Sequence, residues 1–244
     1  MHRDPSLSCS LSSRRAVVLA LTLLVLSGQA FGQQEYVGRY DAYVGYAYLN
    51  SPRISLSSSG VHVQTGLRIK SWLSTGFDFS DSSGRGLLTP SLLTANLQQT
   101  LGAQLQQLAA HGMLPPGYSL AVPFNASTRT YELGPQLAYR GFTAFSLFVR
   151  PALGAVQQVA TPRPRDAIAA AIVQQLTPSG SKTDWQYFYG FGAGATINMT
   201  HHTAINLQVD VVRDHLFNDI LKDGRWTVRL AAGPNFQWGR NVMK

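Results

Sequence analysis

The chain has 244 residues, 45% of them hydrophobic and only 13% charged, and its 20 Lys and Arg against 12 Asp and Glu give a formal charge of +8. Its one cysteine, Cys9, precedes the first apolar run, so a chain trimmed of that run has no disulfide framework and no thiolate metal site. The basic balance comes without any run of Lys or Arg, which argues against nucleic acid as a partner.

Arg14 and Arg15 stand before the apolar stretch 16–26 (AVVLALTLLVL) and the small-residue stretch 27–32 (SGQAFG). Charge, then apolar run, then small residues is the order of a secretory signal, cleaved after Gly32 or after Ala30. The apolar part is too short to span a bilayer comfortably. Residues 1–32 are therefore expected to leave as a signal peptide. The rest, about 210 residues, carries 17 basic and 11 acidic groups, a charge of +6. Residues 33–39 form a short polar lead.

Beyond the lead a period of two takes over, the signature of β-strands with unlike faces. The first strand, 40–49, sets Tyr40, Ala42, Val44, Tyr46 and Tyr48 against Asp41, Tyr43, Gly45 and Ala47. Residues 50–59 are serine-rich and read as a loop. Strand two, 60–70, alternates Val61, Val63, Thr65, Leu67 and Ile69 with His62, Gln64, Gly66, Arg68 and Lys70. Ser71-Trp72 makes a tight turn into strand three, 73–81, where Leu73, Thr75, Phe77 and Phe79 oppose Ser74, Gly76, Asp78 and Ser80.

Residues 82–127 break the pattern. Within them 90–108 repeats leucine at helical steps (Leu93, Leu97, Leu101, Leu105, Leu108) among Gln and Ala, which predicts a short helix laid with its leucines on a barrel rim. Alternation returns at Arg129 for strand four and runs to Tyr139; strand five follows from Phe145 to about Gly154. Pro135, Pro151 and Pro234 sit inside strands, where a missing N–H predicts bulges or register breaks. Residues 157–184 form a second long loop, with a helical turn or two over 167–175. Strand six (185–198), a turn at His201-His202, strand seven (from Ile205), a moderate loop (215–224) and strand eight (226–238) complete the count at eight.

One face of these strands is bulky and apolar. The other mixes glycine, amides and both signs of charge, poor material for a dry core. Apolar groups turned outward and polar groups inward describe a transmembrane β-barrel. The fold class expected is all-β: an eight-stranded antiparallel transmembrane barrel over 40–239, with a tail at 240–244. Short turns alternate with long loops, which places both termini in the periplasm and the long loops outside the cell. Tyr40, Tyr48, Trp72, Tyr139, Trp185, Trp226 and Trp238 lie near strand ends, as an aromatic girdle does.

The opening YDAYVGYAYL, the hairpin GLRIKSWL, YELGPQLAYR and the closing RWTVRLAAGPNFQW resemble the small eight-stranded outer-membrane barrels of the OmpA transmembrane-domain and OmpX type. The resemblance implies bacterial outer-membrane residence, lipid and lipopolysaccharide as surroundings, and delivery by the barrel-assembly machinery. The closing stretch resembles an assembly signal, although 239–244 extends past Trp238. The motifs are patterns of character, so they speak to fold more than to activity.

The lumen-facing charges are Asp41, Asp78, Glu132, Asp210 and Asp214 against Arg68, Lys70, Arg140, Arg150 and Arg229. An eight-stranded barrel is just wide enough to be filled by side chains. The core of an ion-pair network is expected from Asp41, Arg68, Asp78, Glu132, Arg150, Asp210 and Arg229, filling the lumen. The rival is a narrow porin-like channel through that network. A lipid A-modifying barrel enzyme would need a histidine beside a serine or aspartate at the outer rim; His62 and His215 beside Asp214 are the candidates, without nucleophile spacing. A soluble lipocalin-like barrel would need the apolar face inside. The reading favoured is a non-enzymatic barrel, without cofactor or metal, acting in structure or surface interaction through loops 82–127 and 157–184.

Overall fold

A computed structural model describes residues 34, 36–222 and 224–243; the expected signal segment 1–32 lies outside the described residues. Eight strands close into one antiparallel barrel in sequence order, each pairing with its neighbours and β8 returning to β1. They are β1 (Gly38–Ser51), β2 (Leu56–Lys70), β3 (Leu73–Leu88), β4 (Val122–Tyr139), β5 (Phe145–Pro162), β6 (Lys182–Asn198), β7 (Thr203–Asp214) and β8 (Arg225–Asn241). Two helices lie in the long connections, α1 (Ala95–Ala110) and α2 (Ala167–Leu176). None of the described helices is long and apolar enough to cross a membrane.

The strands exceed the alternating segments of the sequence. β3 and β4 stay paired from Leu73↔Leu137 to Leu88↔Val122, so the serine- and glycine-rich stretch after Asp81 is strand, not loop. β2 begins at Leu56, and only a single 3-10 turn (Pro52–Ile54) with Ser55 in the left-handed region separates it from β1. β8 runs on to Asn241, whose side chain accepts from Val37 N at 3.1 Å. At 12 to 18 residues, strands outlast the nine to eleven or so that a bilayer core requires.

The prolines interrupt pairing without moving it. The pairs Glu132↔Gly154 and Leu137↔Val149 share one register across the β4–β5 gap, which sets Pro135 opposite Pro151. Neither residue has an N–H, so at that position the two strands lose the same pair of bonds and nothing slips. Pro234 keeps its place opposite Ile205. The register shifts that exist fall elsewhere, between Arg68 and Lys70 and between Gly38 and Tyr40.

Parity sorts the side chains as the alternation requires. Val44, Tyr46, Val61, Leu133, Leu153, Phe191, Leu207 and Val209 stand exposed on the outer wall, whereas His62, Asp78, Glu132, Arg150, Asp210 and Arg229 are buried inside. The apolar core sits at one end. Leu93 and Leu101 from the α1 segment, Ala169 and Ile172 from α2, and Leu216, Phe217 and Leu221 from the β7–β8 connection pack onto Ala126, Ala152, Val156 and Phe188 of the barrel wall. This cap covers the mouth from which the long loops leave. Both described ends of the chain lie at the opposite mouth, where the short turns are.

Candidate functional site: the layered lumen and its cap

The lumen is built in layers. In the middle, β3, β4, β5, β7 and β8 each turn one charged residue inward. Asp78 Oδ2 meets Arg150 Nη2 at 2.6 Å and Arg229 Nη2 at 3.2 Å. Glu132 meets Arg150 at 3.2 Å and Arg229 at 3.0 Å. Asp210 accepts from Arg229 Nε at 2.8 Å and from Gln208 at 2.7 Å, with Arg150 3.4 Å away. Arg229 also donates to Thr130 Oγ1 (3.2 Å), which bonds Ser80. Gly192 makes room: a Cβ there would strike Asp210 and the Arg150 stem.

His62 joins this layer, its Nε2 2.7 Å from Asp78 Oδ2 and its ring edge-on to Tyr43 at 5.0 Å. It is 0% exposed, so it is no rim histidine. Neither residue belonged to the expected network, although each has the lumen-facing parity of its strand. Among the described residues, three carboxylates here face two guanidiniums and one imidazole. Desolvation of these charges is offset only by their mutual contacts, so the cost of removing one depends on what its partners still touch.

Toward the turn end lies a second, separate layer. Asp41 and Arg68 pair at 3.1 Å, and Arg68 donates to the Gly38 carbonyl at 2.9 Å and to Gln237 at 2.7 Å. Gly66 leaves space for the Asp41 carboxylate. Arg140, in the β4–β5 turn, donates to the Ser71 carbonyl at 2.7 Å and, through Nη1, to Gln34 and Ser146; burial and nearby Arg68 push its pKa down to about 10, against the pull of Asp41. Gln34 thus brings the polar lead into the mouth. Thr196 and Asn206 close the same layer with a hydrogen bond.

The expected residues therefore divide. Asp78, Glu132, Arg150, Asp210 and Arg229 come together, while Asp41 and Arg68 form their own pair. Lys70 is not in the lumen: the register shift after Arg68 turns it out, and its Nζ lies 5.8 Å from the Trp72 ring. Asp214 sits at the loop end, accepting from Arg225 and Thr227, each at 3.1 Å. Arg225 is the first residue of β8, one position before the expected start at Trp226, and shares the lumen-facing parity of Thr227 and Arg229.

Above the ionic layer the lumen mixes apolar side chains with the hydroxyls of Thr128 and Thr227. Leu49, Val156, Phe188 and Val212 line a small cavity of about 30 Å³ over Arg229. The cap follows. Asp166 accepts the Ala169 amide at 2.7 Å as N-cap of α2 and takes the Tyr118 hydroxyl at 3.0 Å. Burial, and then the bond to Asp166, raise the pKa of Tyr118. Lys182 bonds Asp219.

On the outer wall Tyr40, Trp72, Tyr139 and Trp238 are exposed near the turn end, and Tyr48, Trp185 and Trp226 toward the loop end. Tyr40 stacks on Trp238 at 6.2 Å, and Trp185 on Tyr131 at 5.8 Å. One step beyond Phe79 and Tyr131, the exposed pair Asp81–Arg129 begins a polar surface.

No family model matches the chain, and no curated protein matches it. Solved structures do. The attachment invasion locus protein Ail of Yersinia pestis is similar at 13% identity and a TM-score of 0.43, with 82% of this chain and 99% of that one covered. Neisserial surface protein A aligns over 82% of this chain and 96% of its own at 10% identity and a TM-score of 0.48. The N-terminal β-barrel domain of Pseudomonas aeruginosa OprF gives 12% identity and 0.38 over 82% and 100%. The chain's own ladder makes its fold a closed, eight-stranded, all-antiparallel barrel.

Proposed function

We propose that the protein is a non-enzymatic barrel of the bacterial outer membrane that carries a folded cap on the cell surface, its role structural or interactive through that cap. The observation behind this reading is the inversion of the wall. Leu133, Leu153, Phe191, Leu207 and their neighbours stand exposed outside, while Asp78, Glu132, Asp210, Arg150 and Arg229 are buried inside. In water that arrangement would expose an apolar belt far larger than a monomer tolerates; in lipid it is the low-energy one. The exposed aromatics at both ends of the belt suit the two interfaces. The short turns and the termini face the periplasm, and the cap faces outward. Residues 1–32 serve as the export signal, and assembly machinery and lipopolysaccharide are its expected company.

The test is fractionation of cells expressing the full chain. The protein should enter the outer-membrane fraction, migrate faster unheated than boiled, and begin at residue 33 or 31 by mass spectrometry of the intact chain. Protease added to whole cells should cut within 89–121 or 163–181 and spare the turns at 71–72 and 199–202. A chain found soluble in the periplasm without detergent would overturn the reading.

A further inference from the structure

Above the lipid belt the wall goes on. β3, β4 and β5 stay paired past Asp81 and Arg129, in the rows Ser83↔Ser127↔Val159 and Arg85↔Asn125↔Thr161. Their outward face carries a shallow depression of about 450 Å³, lined by Ser83, Arg85, Asn125, Ser127, Val159 and Thr161.

The polar side chains of this face are unspent. One row below, Asp81 and Arg129 pair at 3.3 Å. Ser83, Arg85, Asn125, Ser127 and Thr161 have no side-chain hydrogen-bond or ion-pair partner among the described residues. Arg85 is the one charge in the depression, and no carboxylate lines it. Hydroxyls and a carboxamide both donate and accept, and a guanidinium takes phosphate or carboxylate by parallel bonds. Together they suit a polyhydroxylated ligand that carries a negative group. A protein partner would call for large apolar or aromatic anchors, and Val159 is the bulkiest apolar side chain in the lining.

Height decides the source. On β3 and β4 the apolar belt ends at Phe79 and Tyr131, which pair with each other. A strand rises about 3.3 Å per residue and tilts by about 40° in such barrels. Ser83, four residues on, therefore stands about 10 Å above that row, and Arg85 about 15 Å. A phospholipid headgroup layer reaches only about 5–7 Å beyond the hydrocarbon. A lipid reaches the depression only when sugars are built on its head.

We propose that this depression binds the anionic inner-core sugars of lipopolysaccharide, a phosphate or sugar carboxylate on Arg85 and sugar hydroxyls on Asn125, Ser127 and Thr161. The proposal rests on the outer-membrane reading above. It makes the extended wall, rather than the cap, the surface that meets the sugars of the surrounding lipid.

The experiment uses the barrel in phosphatidylcholine nanodiscs, titrated calorimetrically with lipopolysaccharide core oligosaccharide freed of its acyl chains. The control is the same oligosaccharide stripped of phosphate and with its carboxylates reduced, and protein-free nanodiscs are subtracted. The charged core should bind saturably, one per barrel. The neutral core should bind about tenfold more weakly, the worth of one charge-assisted hydrogen bond. Arg85→Gln should weaken the charged core by a similar factor and leave the neutral core unchanged. Ser127→Trp fills the depression and should abolish binding of both. Heat-modifiable mobility shows that each variant is folded, and cell fractionation reports membrane residence separately, so the two readings fail by different results. Charged-core binding no greater than that of empty nanodiscs, Arg85→Gln without effect, equal affinity for the two cores, or saturable binding that survives Ser127→Trp would each overturn the proposal.

Discussion

The middle of the lumen and the cap above it both close the same tube, by opposite chemistry. The middle is held by directional contacts among Asp78, Glu132, Asp210, Arg150 and Arg229, all buried. The cap is held by Leu93, Leu101, Ile172, Phe217 and Leu221, which need only be apolar and fit. A missing methylene in the cap leaves a void. A missing carboxylate in the middle takes compensation from buried charges. The two regions should therefore fail differently, which can be measured.

The largest expected effect is at Asp78, which touches Arg150, Arg229 and His62. Asp78→Ala takes away the carboxylate that His62 meets as well as a partner of both arginines, and should cost about 3–5 kcal/mol, read as lost heat resistance of the folded band and a lower denaturation midpoint. Glu132 sharpens the contrast. Both arginines it touches keep Asp210, and Arg150 and Arg229 keep Asp78 as well, so no guanidinium is stranded when it changes. Glu132→Gln should cost under about 1 kcal/mol. An Asp78 variant as stable as Glu132→Gln would show that the layer is not organised around Asp78.

On the lipid side of the wall, Leu207→Arg should cost about 2–4 kcal/mol if it lies near the bilayer midplane, measured by unfolding in vesicles. Conduction compares the two closures directly. The wild-type barrel should pass almost no current across a planar bilayer. A variant without α1 should stay silent too, because the ionic layer lies below the cap and does not depend on it. Current through that deletion, with wild type silent, would make the cap the real seal.

Smaller effects belong to the cap. Asp166→Ala removes an N-cap worth about 1 kcal/mol together with the Tyr118 bond; the barrel should keep its melting behaviour while protease cuts at 163–181 faster. The pH effect is smaller still. The folded pKa of Tyr118 is raised, so its bond to Asp166 contributes fully below the ordinary tyrosine value of about 10 and is lost as pH rises through the shifted one. Protease sensitivity of the segment before β4 should rise in that alkaline range, and Tyr118→Phe should abolish the change.

How much of this could be read beforehand depended on the bilayer. Where strands cross lipid, a residue must be apolar or hidden, and the alternation of Leu67, Phe77, Leu133 and Leu207 with Arg68, Asp78, Glu132 and Gln208 gave faces and strand number directly. Beyond Asp81 and Arg129 that demand ends. Both faces may then be polar, and serine, glycine and asparagine hide a ladder that runs on to Leu88↔Val122. Hydrogen bonds between backbones carry no side-chain signature, so these extensions looked like loop. Parity also placed His62 and Tyr43 inside, but nothing in the sequence says which inward groups meet; that needs the register, and the shift at Lys70 shows how one residue alters it. The leucines of α1 were legible as a packing stripe, whereas the cap they join is assembled from three distant segments and has no local signal.

The seam between β1 and β8 joins the two ends of the strand order. Tyr40 pairs with Trp238, and the Tyr36 hydroxyl reaches the Gly239 carbonyl 203 residues along the chain. Contacts of such separation are slow to form, because their loop-closure entropy must be met before they are rewarded. Until β8 is in place, β1 carries an unpaired edge, and an unpaired edge recruits other chains. The order of events is thereby constrained: seven strands can be made before any of them is a barrel, and the intermediate keeps an open edge until the eighth arrives. A chain stopped short of Arg225 would keep nearly all of its residues and still have no closed state to fall into.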